Sequence, residues 1–547
     1  RKLRYLFVLL FVSVANVALA QNGAISGTVI EKSTNDAAIG AVVEVIQAGA
    51  VRGGAVTDEN GKYSIKPLNA ANDYEVRVRM LGFKEVRLTG VLVAPDRVTY
   101  QNFSLENTTN ALEDVVVIEY RVPLINKGEP GTSTTLTSDQ IEVLPTRQTS
   151  EAATLVGGTY QQGRGGAVSI GGARSNGTLY IVDGVQVNGA GGTNFPPNSI
   201  DQISVLTSGI PAKYGDATGG VISITTKGPK AKTEGSVGVE KSVDGYGHNL
   251  AYFNVGGPLI RRRVDSVTRK SVLGYTLSGQ YLYDVDNNPS YYPNYVLKSD
   301  VLARLQQNPL VLATTTSGAP VLRYGTEYIR ASDLEERKAR VNADYKNARL
   351  VSKFDYQVAD NMNIVFGGNV NLISQKAYSR GLTLFSPGGI PTQNSVTGRG
   401  FVRFTQKFGK PTYNDEQEEN KKAPLVSNAS YSLQADYQID YFSNEDPKHK
   451  RNAFDYGYIG KFDVITNPLY LSGPGIKDDS TGLSMTRLFT YDYPVAVNFT
   501  RSELNPVLAN YTSQFYNFIG ENRPLTLNSI QQGNALRNGD VPPTTYG

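Results

Sequence analysis

The sequence predicts a mainly β chain: an N-terminal β-sandwich, a small glycine-rich α/β domain, and part of a large antiparallel transmembrane β-barrel. Three observations carry this. Short β-prone runs separated by turn signals fill residues 24–105, the spacing of a sandwich. Glycine and hairpin punctuation dominates residues 169–227. Beyond about Thr233, apolar and polar residues alternate, as they do in a strand with lipid on one side and a polar lumen on the other. The expected divisions are a leader at 1–20, the sandwich at 21–106, a linker at 107–132, the α/β domain at 133–232 and the barrel wall at 233–547.

The leader comes first. Arg1, Lys2 and Arg4 precede the apolar run Leu6–Ala20, and Ala18-Leu19-Ala20 before Gln21 is a signal-peptidase pattern. That run is too short to span a bilayer, and no other apolar stretch reaches helical spanning length, so any membrane crossing falls to strands. Losing the leader's three positive charges takes the formal net charge from +4 to +1, too balanced for a nucleic-acid partner. With no cysteine there is no disulfide framework, thiolate metal site or thiol nucleophile. His248 and His449 alone cannot assemble a catalytic triad or a zinc site. No enzyme activity, cofactor or metal is expected.

In the sandwich, Ile25–Ile30, Ala41–Val45, Tyr63–Ile65, Tyr74–Val78 and Val98–Leu105 read as strands. Asn60-Gly61 reads as a two-residue hairpin turn with positive φ at both positions. Ile25-Ser26-Gly27-Thr28-Val29, Thr57-Asp58-Glu59-Asn60-Gly61-Lys62-Tyr63 and Leu81-Gly82-Phe83 together resemble the carboxypeptidase-regulatory, transthyretin-like module. The resemblance implies a periplasmic spacer or docking domain and no peptidase activity.

The linker is polar except for Leu112-Glu113-Asp114-Val115-Val116-Val117-Ile118. A β-branched run without a sheet of its own is a template for pairing with another chain. It also fits as a last strand of the sandwich or a first strand of the next domain.

Ser138–Leu144 has an N-cap candidate in Ser138 and apolar residues on one side, a short helix; Ser150–Val156 is a second candidate. Gln161–Ala167 and Val187–Asn198 read as loops. Thr178–Val182 and Val185–Val187 are strands joined by Asp183-Gly184, a strong hairpin signal. Ile200–Thr207 and Val221–Thr226 are two further strands.

Four segments in order then carry a resemblance: Ile170-Gly171-Gly172-Ala173-Arg174, Tyr180-Ile181-Val182-Asp183-Gly184-Val185, Ile200-Asp201-Gln202-Ile203-Ser204-Val205, and Tyr214-Gly215-Asp216-Ala217-Thr218-Gly219-Gly220-Val221-Ile222. Together they resemble the plug domain of TonB-dependent outer-membrane receptors, of the Oar-like or SusC-like kind. The resemblance implies structural roles in the plug for Gly171, Gly172, Arg174, Asp183, Gly184, Gly215, Gly219 and Gly220. It makes Arg164, Asn188, Asn194 and Phe195 candidates for touching ligand. Arg164, Arg174, Asp183, Asp201, Lys213 and Asp216 are expected mostly to hydrogen-bond the lumen wall. Leu112–Ile118 becomes a TonB box, with Leu112, Glu113, Asp114, Val115, Val116, Val117 and Ile118 meeting the C-terminal domain of TonB, itself driven by an inner-membrane complex. The lipid bilayer is a further partner, and the SusC-like likeness adds a surface lipoprotein.

Gly235–Lys241, Leu250–Val255, Leu273–Tyr283, Arg349–Val358, Met362–Leu372 and Ala429–Tyr441 read as wall strands. Tyr275, Leu277, Gly279, Tyr281 and Tyr283 fall on one face, with Thr276, Ser278, Gln280 and Leu282 on the other. Ala359-Asp360-Asn361 is a tight turn, whereas Asp284–Ala343, Gln375–Val426 and Phe442–Phe454 read as long loops. Of the 33 tyrosines, 25 follow residue 230, as aromatic girdles require. Asp284-Val285-Asp286-Asn287-Asn288 opens like a calcium loop, but Pro289 and Tyr295 stand where glycine and glutamate belong. Large plugged barrels use about 22 strands, more than these residues supply, so the sequence reads as the N-terminal fragment of a longer receptor. The expected function is TonB-dependent import of a ligand; the alternative is an outer-membrane scaffold for secretion or adhesion.

Overall fold

The structure, a computed structural model, describes residues 22–95, 97–107, 115–119, 131–144, 148–162, 166–187, 193, 195–212, 214–215, 217–230, 232–263, 269–359, 361–408 and 429–522. The N-terminal sandwich pairs β1 (Asn22–Glu31) with β4 (Lys62–Asn69), β7 (Val98–Tyr100) and β8 (Phe103–Leu105) in one sheet. The other sheet runs β3 (Ala50–Val56), β2 (Val42–Gln47), β5 (Ala71–Arg79), β6 (Glu85–Val93) and β9 (Val115–Glu119). Alternation explains its core. Tyr74, Val76 and Val78 of β5 point inward against Ile25, Val43, Val45 and Leu88, while Glu75, Arg77 and Arg79 face outward and form a charge ladder with Glu44, Glu85 and Arg87. Opposite charges facing each other across strands hold such a surface in register.

Two expectations change here. β3 and β6 were not legible, because Gly53, Gly54 and Gly90 interrupt their apolar pattern. The Asn60-Gly61 turn is not a two-residue hairpin. Gly61 has φ +70° while Asn60 stays in the ordinary region. The Asp58 carboxylate accepts the amides of Asn60 and Lys62 at 2.9 and 2.8 Å, and the Gly61 amide donates to the Asp58 carbonyl at 2.9 Å. That aspartate holds a longer turn in which one left-handed glycine suffices.

The α/β domain is built on a five-stranded sheet in the order β10 (Ser133–Thr137), β15 (Ile200–Leu206), β16 (Gly220–Thr226), β13 (Thr178–Val182), β14 (Val185–Val187). A separate pair, β11 (Thr159–Gln161) and β12 (Val168–Ile170), covers one side. The first helix, Ser138–Glu142, is capped by Thr137 through a capping box with Gln140, one residue ahead of the expected Ser138. The second is Thr149–Ala153. Asp183 (φ +48°) and Gly184 (φ +87°) form the β13–β14 turn that their pairing predicts.

The wall is an antiparallel ladder of seven strands: β17 (Glu234–Lys241), β18 (His248–Arg263), β19 (Arg269–Asp284), β24 (Tyr345–Ala359), β25 (Met362–Lys376), β26 (Thr392–Phe408) and β27 (Ala429–Glu445). Its polarity is inside-out. Ser278, Gln280, Asn347, Arg349, Asn369, Asn371, Arg399 and Arg403 are buried, whereas Tyr281, Leu350, Phe366, Leu372, Val402 and Ile439 lie exposed on the opposite face. A water-soluble sheet would reverse this; a lipid-facing exterior around a polar lumen requires it. The α/β domain sits against the polar face.

Connection lengths orient the wall. Two residues join β24 to β25, whereas residues 285–344 join β19 to β24 at the other end. That long connection carries a helix (Ser299–Gln307), the hairpin β21 (Leu310–Thr314) with β22 (Pro320–Tyr324), and the pair β20 (Asn294–Leu297) with β23 (Leu334–Arg337). The sandwich docks at the short-turn end, where Arg52 meets Gln357 and Lys407. β26 lies inside the stretch expected as a loop from Gln375 to Val426; its polar half, Thr392–Thr397, hides the alternation. A further hairpin, β28 (Gly460–Lys477) with β29 (Ser484–Arg501), and a helix at Pro506–Asn522 follow. The helix reaches back to the long connection through Gln514, whose Oε1 accepts the Leu310 amide. Among the described residues the seven-stranded sheet does not close on itself.

Gly220 tests the packing of the α/β domain. A Cβ there would lie 2.6 Å from Ile170 and 2.7 Å from the Leu206 carbonyl oxygen. Gly220→Ala is expected to cost about 1–3 kcal/mol through overpacking, read as protease sensitivity at lower urea. Gly215→Ala, where a Cβ meets nothing within 4 Å, should leave the profile unchanged.

Candidate functional site

Three bodies meet at one polar junction: the sandwich, the α/β domain and the wall. Its centre is Asp183. The left-handed turn places this carboxylate in the interior, where Oδ2 accepts the Thr226 hydroxyl at 2.7 Å and Oδ1 accepts the Thr226 amide at 3.1 Å. From the wall, Lys353 Nζ donates to Asp183 Oδ1 and to the Thr226 carbonyl, both at 3.0 Å. Arg399 donates to the Val182 carbonyl at 3.3 Å, and Arg403 to the Asp183 carbonyl. The wall thus holds both the side chain and the backbone of one turn. Burial pushes the Asp183 carboxyl up, but the Lys353 charge and the bonds from Thr226 and Lys353 outweigh it and hold it below its ordinary range. The side chains are 5 % exposed for Asp183 and 15 % for Lys353; breaking such a pair strands a charge away from water.

The sandwich closes the junction from the short-turn end. Gln202 donates to the Val93 carbonyl at 2.9 Å, and Asn72 to Ser138 at 3.0 Å. Arg52 donates to Gln357 at 2.6 Å and stands 3.7 Å from Asp355, while Lys407 donates to the Arg52 carbonyl at 2.6 Å. Between the three bodies lies a cavity of about 60 Å³ lined by Asp73, Asp183, Asp201, Lys227, Lys353 and Arg403, among others. Among the described residues, Asp201 Oδ2 has no hydrogen-bond partner. Burial first, and then the nearby Asp73 carboxylate, push its carboxyl up to about 7, against the opposing pull of Lys353, Lys227 and Lys230.

The expected site residues distribute unevenly. Gly171 (φ +62°) and Gly172 (φ +78°) make the turn after β12. Gly219 and Gly220 pack too closely on Ala173 and Ile170 to carry a side chain without displacement. Gly215 has open space. Arg174 is exposed, and its carbonyl accepts the Gly177 amide. Phe195 is not at a ligand-facing surface: it is 1 % exposed and packs in the apolar core with Ile141, Ala153 and Ile200, its backbone tied to the Thr149 hydroxyl of the second helix. Arg164, Asn188, Asn194, Lys213 and Asp216 lie outside the described residues, as do Leu112, Glu113 and Asp114. Val115, Val116, Val117 and Ile118 form β9, paired in parallel with β6 from Glu85↔Val115 to Thr89↔Glu119. Of the open assignments for this run, the structure shows the last strand of the sandwich.

Lys353, Arg399, Arg403, Arg52 and Gln202 are site residues that the sequence did not single out. A signal existed for three of them. Lys353, Arg399 and Arg403 occupy lumen-side positions in strands whose other face is apolar, where a cation needs a partner inside. His248 and His449 are both engaged structurally, His248 with Asp284 and His449 with Asn505, each at 2.6 Å.

Two known domain families match parts of the chain. Residues 24–106 match the carboxypeptidase regulatory-like domain, and residues 126–221 match the TonB-dependent receptor plug domain. The chain is 29% identical over 238 residues to the TonB-dependent transporter Oar of Myxococcus xanthus, a match covering 41% of this chain and 22% of that protein. It is 31% identical over 189 residues to the probable TonB-dependent siderophore receptor PirA of Acinetobacter baumannii, covering 28% and 24%. The chain therefore spans under a quarter of the length of these curated relatives. Among solved structures, the siderophore receptor PirA from Acinetobacter baumannii aligns at 18% identity and TM-score 0.33, covering 59% of this chain and 50% of that one. The outer membrane transporter YddB from Escherichia coli aligns at 12% identity and TM-score 0.35, covering 58% and 40%.

The junction makes two predictions. Lys353→Met should lower the urea midpoint for release of the α/β domain, by about 3–5 kcal/mol for a stranded buried charge. Adding Asp183→Asn should recover part of the loss in a double-mutant cycle. Asp201 holds its proton more tightly folded than unfolded, so its ionisation withdraws stability as pH rises from its ordinary 3.8 through about 7. Asp201→Asn should therefore stabilise the junction at pH 8, by about 2–4 kcal/mol, and give no gain near pH 4, measured by thermal unfolding.

Proposed function

We propose that this chain, a carboxypeptidase regulatory-like domain followed by a TonB-dependent receptor plug domain and an inside-out strand wall, works as an outer-membrane receptor for TonB-dependent import of a ligand. The observation that carries the reading is the plug held by wall cations at Asp183, on the polar face of a sheet whose other face is apolar. A gate must be seated by interactions strong enough to keep it closed and local enough to be released. One buried turn gripped by Lys353, Arg399 and Arg403 meets both needs.

In this reading the sandwich lies on the periplasmic side, at the end with the two-residue turn, and the 285–344 connection lies outside. Ligand meets the outer loops and the plug's outward surface. The strand β9 meets the C-terminal domain of TonB by strand addition, and force drawn from the inner-membrane complex loosens the plug. No catalytic step is required of any residue.

Removing Asp114–Ile118 from the full-length protein should abolish energy-dependent accumulation of whatever small molecule co-purifies with it from outer membranes. Binding of that molecule at the cell surface should persist. Unchanged uptake in the deletion strain would refute the coupling.

A further inference from the structure

We infer that the sandwich is a detachable latch: it bridges plug and wall at the short-turn mouth and must come off the wall before the plug can leave by that end. This rests on the import reading above, in which the plug moves and the wall stays. Releasing the Asp183 turn alone would leave the plug tied to the wall through the sandwich. While the sandwich stays on the wall it covers that mouth, so parting from the plug alone does not clear the way.

The seam is built for separation. The apolar core of the sandwich is made of its own residues, among them Ile25, Val43, Tyr74 and Leu105. The plug core, in contrast, takes in Val351 from the wall. The sandwich is attached by polar bonds: Gln202 to the Val93 carbonyl, Asn72 to Ser138, Arg52 to Gln357 and Lys407 to the Arg52 carbonyl. Polar seams between domains permit relative motion, whereas large apolar ones oppose it.

Two further observations point the same way. Cavities of about 60 Å³ and about 40 Å³ lie along the seam, the second lined by Arg52, Tyr74, Gln357, Asn363 and Lys407, among others. Well-packed interiors leave few voids larger than a water molecule. Among the described residues, four buried polar atoms at the seam have no hydrogen-bond partner: Arg52 Nε, Asp201 Oδ2, Gln202 Oε1 and Asn363 Oδ1. Such an atom costs free energy that contact with water restores, so undocking recovers part of what the broken bonds cost.

On the wall side, three contacts converge on Arg52. It stands on β3, the edge strand of its sheet. Its guanidinium meets Gln357 and Asp355 of β24, and its carbonyl receives Lys407 of β26. Removing the Arg52 side chain therefore loosens the sandwich from β24 and leaves the apolar cores of sandwich and plug untouched.

The test uses the full-length protein in liposomes filled with carboxyfluorescein, carrying Arg52→Cys and Gln357→Cys; the sequence has no cysteine of its own. The native side chains meet at 2.6 Å, so a thiol-cleavable bismaleimide can join their replacements and lock the sandwich to the wall. Dye release is followed in urea below the concentration that unfolds the wall strands. The expected result is release about tenfold or more slower in the locked form than after cleavage with reductant. Arg52→Ala should release dye faster than the unaltered protein. Locked and cleaved forms agreeing within about twofold would show that the plug clears the mouth without undocking; that would overturn the proposal while sparing the import reading. An Arg52→Ala rate equal to that of the unaltered protein would overturn it as well. No release from any form short of wall unfolding would mean that the plug is not a displaceable gate, and would overturn both.

Discussion

A buried carboxylate bonded by one wall-borne cation, with two more wall-borne cations on the backbone carbonyls of its turn, is the constraint on which the rest depends. Asp183 cannot sit ionised in the interior unless Lys353 is there, and Lys353 cannot point into the lumen unless a carboxylate or its equivalent receives it. Each partner therefore specifies the position of a whole body. The turn fixes where the plug sheet stands, because β13 runs into it and β14 runs back alongside. The wall strands β24 and β26 fix where that turn is held. The cations of β24 and β26 grip Val182, Asp183 and Thr226, three residues that meet at this one turn.

The sandwich turns a two-body contact into a three-body one. Arg52, through both its side chain and its carbonyl, ties it to β24 and β26 near the short turns, and Gln202 and Asn72 tie it to the plug. Its docking buries Asp201 beside Asp73, an arrangement that opposes ionisation and that the pull of Lys353, Lys227 and Lys230 does not offset. The plug is thus held strongly from the wall side and less comfortably from the sandwich side. The weaker of those two attachments is the one facing the domain that bears β9.

Legibility followed the physics of each signal. The hairpin Thr178–Val187 was readable to the residue, since Asp-Gly between β-branched runs has few other solutions. Wall strands with clean alternation, such as β19, were readable as well. β26 was not, because its N-terminal half is polar on both faces, and β3 and β6 were hidden by glycines that local pattern treats as breaks. The cations of the junction were invisible for another reason. Nothing near Lys353 in sequence announces Asp183, 170 residues away; only the inward register of the two elements joins them. Phe195 shows the converse, an aromatic residue in a turn-rich loop that looked exposed and is core.

The position of β10 in the plug has a mechanical meaning. It is the outermost strand of its sheet, entered by the chain at Ser133, with register pairs from Ser133↔Leu206 to Thr137↔Gln202. Under the proposed coupling, tension on the preceding chain reaches this strand before the other strands of its sheet. A border strand peeled away from one end detaches pair by pair, so the load at each moment falls on a single pair. The central strands β16 and β13, which lead to the Asp183 turn, share load across both of their neighbours and outlast it. In the proposed import, opening is then graded in distance: the plug pays out length before its anchorage is challenged, and slackening the pull lets the strand run back along the same template.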